Sequence, residues 1–284
     1  MAMISLLVAP LSLTPSFTSI ARSPPWALDA ACSLRTNGFA VLPDEASVRP
    51  KLVKAARAET NSRLELLLNA VGAAGLDAEE MHYSFTEICH RAPLRWDLRM
   101  PEESAPAFND LCQEAFRQST PALRQLTGCE APRLVMSGAV VSRAGAKSQH
   151  VHTDGDDSGL FTIFIPLVDI PPESDGTSFL PGSHIESDVL VRAAMSEAGV
   201  MELDPATMAK MVSPACPAGG LLCFDYRTVH RGRANDGRER AVAYIVVATE
   251  EGVTDDVNFH TMSLLHDLRH PAMANHMAAT VWHW

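Results

Sequence analysis

His152-Thr153-Asp154, joined later in the chain by His230 and then by Arg240, is a set of side chains with the chemistry of a metal centre. Two histidines and one carboxylate can occupy one face of an octahedral ferrous ion and leave its other positions open to small molecules, dioxygen among them. The i, i+2 spacing suits that task. On a β-strand alternate side chains share a face, so a strand through 152–154 would turn His152 and Asp154 toward one ion. The second histidine must come from elsewhere in the fold, and the intervening chain is long enough to return it on another strand. An arginine nearby can hold a carboxylate through paired hydrogen bonds, each worth about 1.5–3 kcal/mol.

The elements that must position these groups are legible around them. Gly159–Ile170 is rich in β-branched and aromatic residues and is stopped by Pro171-Pro172, which predicts a strand. Gly219–Val229 predicts another, leading into His230. Asn235-Asp236-Gly237 is a turn signal, and Arg240–Val247 a further strand that would pair near the one carrying His230. Upstream, Leu28–Arg35 reads as a helix and Gly38–Leu42 as a strand ended by Pro43. Pro50–Val71 is helical, with apolar residues at 52, 53, 56, 64, 66 and 67 and its proline in the tolerant first turn. Phe108–Thr127 is a second long helix, in which Pro121 is expected to kink or split the run. The barrel strands are expected from near Leu134. Ser187–Pro214 has helical periodicity and carries Met195, Met201, Met208 and Met211, so it reads as a helix pair packed outside the barrel or as a lid over the metal.

Taken together, the motifs Gln149-His-Val-His152-Thr-Asp154, Phe164-Ile-Pro-Leu-Val-Asp-Ile170, Gly176-Thr-Ser-Phe-Leu-Pro-Gly-Ser-His184 and Phe224-Asp-Tyr-Arg-Thr-Val-His-Arg-Gly-Arg-Ala-Asn235 resemble the phytanoyl-CoA dioxygenase family. The resemblance spans about residues 30–260, with the motifs in order. It implies a mainly β fold with flanking helices, a double-stranded β-helix of the jelly-roll or cupin-like kind. It implies an iron(II)- and 2-oxoglutarate-dependent dioxygenase in which His152, Asp154 and His230 bind iron and Arg240 grips the distal carboxylate of 2-oxoglutarate. Thr162 and Gln149 would be further contacts to the co-substrate. Dioxygen would take the remaining position, and ascorbate would serve as reductant. With Asp154 in the place a halide takes in related halogenases, hydroxylation of a C–H bond is favoured over chlorination; desaturation or ring formation stays open. Arg238 has the same strand parity as Arg240, and spacing in similar proteins favours Arg240. The charged stretch Glu87–Arg99 would lie near the pocket mouth, with Arg95 meeting an anionic substrate or forming a surface salt bridge.

Two other classes compete. His150 shares parity with His152 and could make a cupin-like metal site, although Asp156 and Asp157 stand where a cupin would want glutamate. A non-catalytic sensor of iron or 2-oxoglutarate would keep the same residues. His184 closes a turn and reads as structural, while His260, His266, His270, His276 and His283 fall in a tail without partner spacing.

Composition bounds the rest. The 284 residues, 46% hydrophobic, suit one oxygenase domain over 28–284 with a barrel core at about 134–250 and the insertion at about 187–214. A formal charge of −11 argues against a nucleic-acid partner and against a phosphate-rich CoA ester, leaving a small organic metabolite as the expected substrate. Cysteines 32, 89, 112, 129, 216 and 223 show no C-x-x-C spacing and read as reduced, mostly buried thiols. Residues 1–27 have no acidic residue and read as a targeting or unstructured leader, too short in its apolar run to span a bilayer. The expected location is cytoplasmic or organellar, since Val281-Trp-His-Trp284 is not a peroxisomal signal. Oligomeric state is not written in the sequence.

Overall fold

Apolar residues at helical spacing, opened by a first-turn proline, form the two long helices that back the barrel. In the computed structural model, residues 23–79, 83–172, 174, 176–185, 194–195, 201–255, 259 and 261–265 are described. Helix α1 (Trp26–Asn37) ends on Gly38 at φ 85°, where the left-handed backbone lets its N–H reach the Leu34 carbonyl. Helix α2 (Pro50–Ala73) buries Val53, Ala56, Thr60, Leu64, Leu67 and Val71 along one stripe, leaving Leu66 in solvent. Helix α3 (Pro106–Thr127) runs unbroken through Pro121; the Ser119 and Thr120 hydroxyls both bond the Phe116 carbonyl in the turn where the proline interrupts the N–H series. The Glu59 carboxylate of α2 accepts from the Ala107 and Phe108 N–H groups, capping α3 from the neighbouring helix. None of the described helices is long and apolar enough to cross a membrane.

These helices cover one face of a seven-stranded antiparallel sheet. Its strands are β1 (Phe39–Val41), β2 (Ile88–Ala92), β3 (Arg95–Arg99), β4 (Arg133–Ser142), β5 (Leu160–Pro166), β9 (Leu222–Asp225) and β11 (Arg240–Ala248), in the order β1-β9-β5-β11-β4-β3-β2. Strand β11 shows why it sits at the centre. Ala241, Ala243, Ile245 and Val247 join the core under the helices, whereas Arg240, Val242, Tyr244 and Val246 face a cavity on the other side. A strand covered on both faces must be shielded almost throughout, and every residue of β11 is buried. Across the cavity lies a smaller sheet of β6 (Thr177–Phe179) and β10 (His230–Gly232), giving the two-layered barrel of the jelly-roll class.

Three expectations are corrected. The sheet does not begin near Leu134, because β2 and β3 at 88–99 extend its edge; their core face carries Ile88, Trp96 and Leu98 while the cavity face is charged, which obscures the alternation in the sequence. Strands β10 and β11 lie in different sheets, β11 pairing with β4 and β5 instead. The described part of the insertion holds a two-stranded ribbon, β7 (Ala194–Met195) with β8 (Met201–Glu202), and one helical turn, α4 (Pro205–Met208), in place of a helix pair. Residues 186–193 and 196–200, the leader to residue 22 and the tail from 266 lie outside the described residues, as does His260.

Candidate metal centre and co-substrate pocket

The site begins as one backbone pairing. His152 and His230 exchange both hydrogen bonds, N–H to carbonyl at 2.9 and 2.8 Å, so their side chains leave on the same side and their rings lie 4.4 Å apart. This is an isolated bridge, not a strand: residues 152–154 lie in an irregular segment between β4 and β5. Asp154 is brought alongside because its N–H bonds the Tyr226 carbonyl at 3.0 Å, and the Tyr226 ring packs over Gly155, where a Cβ would come within 2.6 Å of the ring. One ligand atom from each of His152, Asp154 and His230 falls within 4.8 Å of the others.

Each donor is oriented by a neighbour. The Nδ1 atoms of His152 and His230 lie 2.9 Å from the carbonyls of His150 and Thr228, each two residues earlier in the chain. A proton on Nδ1 satisfies those carbonyls and leaves both Nε2 lone pairs for an ion. The Thr162 hydroxyl donates to Asp154 Oδ2 at 2.8 Å, leaving Oδ1 turned toward His230, 3.5 Å from its Nε2. Burial, and then the adjoining His230, pull the His152 imidazole down to about 4, which keeps it in the neutral form a metal needs.

The three groups open into a cavity of about 430 Å³. Its far end is cationic. Register places Arg240, Ser142 and Arg95 in one row across β11, β4 and β3. Arg95 has no exposed surface; it donates to Gln149 Oε1 at 2.9 Å and to the Arg233 carbonyl at 2.6 Å. Gln149 Oε1 also accepts the Gly232 N–H, and a Cβ at Gly232 would fall 2.0 Å from Arg95 Nη1, so only glycine leaves room for this guanidinium. Its Nε is buried without a hydrogen-bond partner among the described residues. Burial first, then the Arg240 charge beside it, weigh against the Arg95 cation, a penalty that a bound anion would relieve. The donor set and this end of the cavity therefore fit a divalent metal together with a carboxylate-bearing ligand.

The structure thus brings His152, Asp154, His230, Arg240, Thr162 and Gln149 to one cavity. Thr162 is engaged with Asp154, and Gln149 with Arg95. Arg95, expected at the pocket mouth or in a surface salt bridge, is instead a buried wall residue; its signal was the Arg95-x-Asp97-x-Arg99 alternation with Trp96 and Leu98. Arg238 is exposed, reaches the Asp169 carbonyl at 3.4 Å and does not line this cavity. His150 is exposed and contributes its carbonyl, not its ring, to the cluster. His184 Nε2 lies 3.2 Å from the Arg35 carbonyl, a packing role. Met201 lines the cavity, and with Met208 and Met211 it packs on Val151, Leu180 and Val229. The cysteines are unpaired by disulfides, and burial pushes the thiols of Cys112 and Cys216 up to about 12.

Residues 34–242 match the family model "Phytanoyl-CoA dioxygenase (PhyH)". No curated protein matches the chain. Among solved structures, the non-haem alpha-ketoglutarate-dependent epimerase SnoN from nogalamycin biosynthesis is similar at 18% identity and TM-score 0.54, covering 79% of this chain and 84% of SnoN. The carbocyclase SnoK of the same biosynthesis follows at 19% and 0.52, covering 78% and 83%. EctD from S. alaskensis, with bound iron, stands at 16% and 0.50, covering 82% and 78%. At such identities the likeness is one of fold.

Proposed function

The chain belongs to the phytanoyl-CoA dioxygenase family, and on that premise we propose that it is an iron(II)- and 2-oxoglutarate-dependent dioxygenase that hydroxylates, or otherwise oxidises, a C–H bond of a small organic molecule. One observation carries the reading: three metal-donor side chains converge at a cavity whose other end is held by two buried arginines. Iron and 2-oxoglutarate, when bound, supply the oxidative decarboxylation to succinate that activates dioxygen against a C–H bond.

The chain's own residues do the rest. His152 and His230 present Nε2, with Nδ1 tied back to a carbonyl. Asp154 presents Oδ1 while Thr162 fixes its other oxygen. Arg240 clamps the distal carboxylate of 2-oxoglutarate, and Arg95, locked by Gln149, adds a second positive charge behind it. Val242 and Phe164 line the space between and keep water from it. Because Asp154 holds its position with a carboxylate, no place is left there for a halide. Ascorbate in the assay would keep iron ferrous. A cupin-like site would need the His150 ring, which is exposed and is not among the three groups whose donor atoms converge.

Two substitutions test the assignment together. Asp154→Ala is expected to abolish iron-dependent succinate formation. Arg240→Ala is expected to raise the 2-oxoglutarate concentration for half-saturation roughly a hundredfold, the loss of about 3 kcal/mol of charge-assisted bonding, with little change in iron requirement. Should Arg238→Ala give that pattern and Arg240→Ala leave it unchanged, the clamp is misassigned.

A further inference from the structure

The end of the cavity away from Arg240 has a different electrostatic build. A register shift between His90 and Ala92 makes Arg91 the odd residue of the β2–β3 hairpin and turns it to the cavity face. Its Nε and Nη2 both donate to Asp97 Oδ2, at 3.2 and 2.9 Å, and the Tyr244 hydroxyl donates to Asp97 Oδ1 at 3.0 Å. The Phe259 ring lies under the guanidiniums of Arg91 and Arg99, 5.7 and 4.9 Å from its centre, and the buried carboxylate of Asp255 completes this wall. Arg91 is thus paired with Asp97, and Asp255 and the ring-stacked Arg99 add one charge of each sign at this end, whereas Arg95 and Arg240 stand together at the other. Above the network the surface is aromatic and aliphatic. Tyr244 lies across Gly138, where a Cβ would come 2.5 Å from its hydroxyl, and Tyr226 lies on Gly155, so both rings are held by glycines that no larger residue could replace without moving them.

We infer that this half of the cavity receives an uncharged, ring-sized molecule that donates a hydroxyl to the Tyr244 oxygen; the inference rests on the oxygenase reading above. A charged substrate would bring an uncompensated charge to a buried wall that is already neutral. A ring would cover the tyrosines and Val140 and Val246. Both Asp97 oxygens are occupied, and the Tyr244 hydroxyl, having donated its proton, keeps the capacity to accept one.

The test uses the full chain loaded with iron(II) and 2-oxoglutarate without oxygen, titrated calorimetrically with one decalin skeleton bearing a hydroxyl, a carboxylate or an ammonium group. The alcohol is expected to bind at least tenfold more tightly than either charged probe. In Asp97→Asn, which bares the Arg91 charge, the carboxylate probe should gain at least tenfold relative to the alcohol. If that variant does not fold, Tyr244→Phe keeps the ring and is expected to weaken the alcohol alone. Equal or tighter binding of a charged probe to the unsubstituted protein overturns the inference, as does failure of every probe to bind at millimolar concentration. Iron titration and succinate formation on the same preparation separate the two claims: iron bound without any succinate refutes the oxygenase reading, while the probe ratio tests this inference alone.

Discussion

Asp154 can offer one oxygen to an ion because Thr162 holds the other, and that division of labour is open to measurement. Thr162→Val keeps shape and removes the donor; it is expected to weaken iron binding about 10–100-fold, the usual cost of losing a partner behind a ligand, read by equilibrium titration under anaerobic conditions. An unchanged affinity would mean the hydroxyl serves packing. At this scale the sequence was most informative where residue type is narrowly constrained by chemistry. A His-x-Asp with a later histidine and arginine has few structural uses, so the convergence of these side chains on one cavity was legible without coordinates. Arg95 was harder to read, because its alternation with Trp96 and Leu98 marks a strand without telling that the charged face is also covered; Gly232, which must stay bare beneath it, shows that this arginine is packed in. Thr162 was found for its position but not its partner, since nothing in the spacing tells that its hydroxyl meets Asp154.

Among the elements, the helices behind the sheet govern whether the cavity keeps its shape. Glu59 of α2 caps α3, so Glu59→Ala is expected to cost about 1 kcal/mol, visible as a lowered denaturation midpoint with unaltered iron affinity. Glu114 ties the same pair: its carboxylate accepts from the Arg49 N–H and guanidinium. Burial opposes that carboxylate, but the Arg49 bonds outweigh it and hold the carboxyl below the usual range. A group depressed in the folded state contributes its stability above the unfolded pKa and loses it as pH falls through the folded one. Glu114→Gln should therefore destabilise the protein at neutral pH and flatten the acid-side loss of stability below about pH 4.5; parallel curves for the two proteins would contradict the pairing. Helices α2 and α3 could be read from periodicity because each shows one apolar stripe. The β2–β3 hairpin could not, since its cavity face is as charged as a solvent face. The insertion misled for the opposite reason: its apolar residues fit a helical period, yet the described segment pairs as a ribbon that sets Met201 into the cavity wall.

For the molecule as a whole, the two sheets enclose one cavity with a cationic end, a metal-donor set and an electroneutral aromatic end, in a chain of net charge −11. Ligands that bind only the folded state must stabilise it. Iron(II) and 2-oxoglutarate at a hundredfold excess over their dissociation constants should each add about 2.7 kcal/mol, a rise of roughly 5 °C or more in midpoint, and Asp154→Ala should lose the response to iron. The fold class was legible through the family resemblance, carried by four motifs in order along the chain; the substrate was not, because the cavity walls come from many strands and from the segments around Tyr226 and Asp255. The central claim is tested most directly by following dioxygen uptake and succinate release together in the purified protein with ferrous iron, 2-oxoglutarate and ascorbate. The account predicts iron-dependent succinate in equal molar amount to the dioxygen consumed, absent in Asp154→Ala; dioxygen uptake without succinate, or succinate undiminished in that variant, would contradict it.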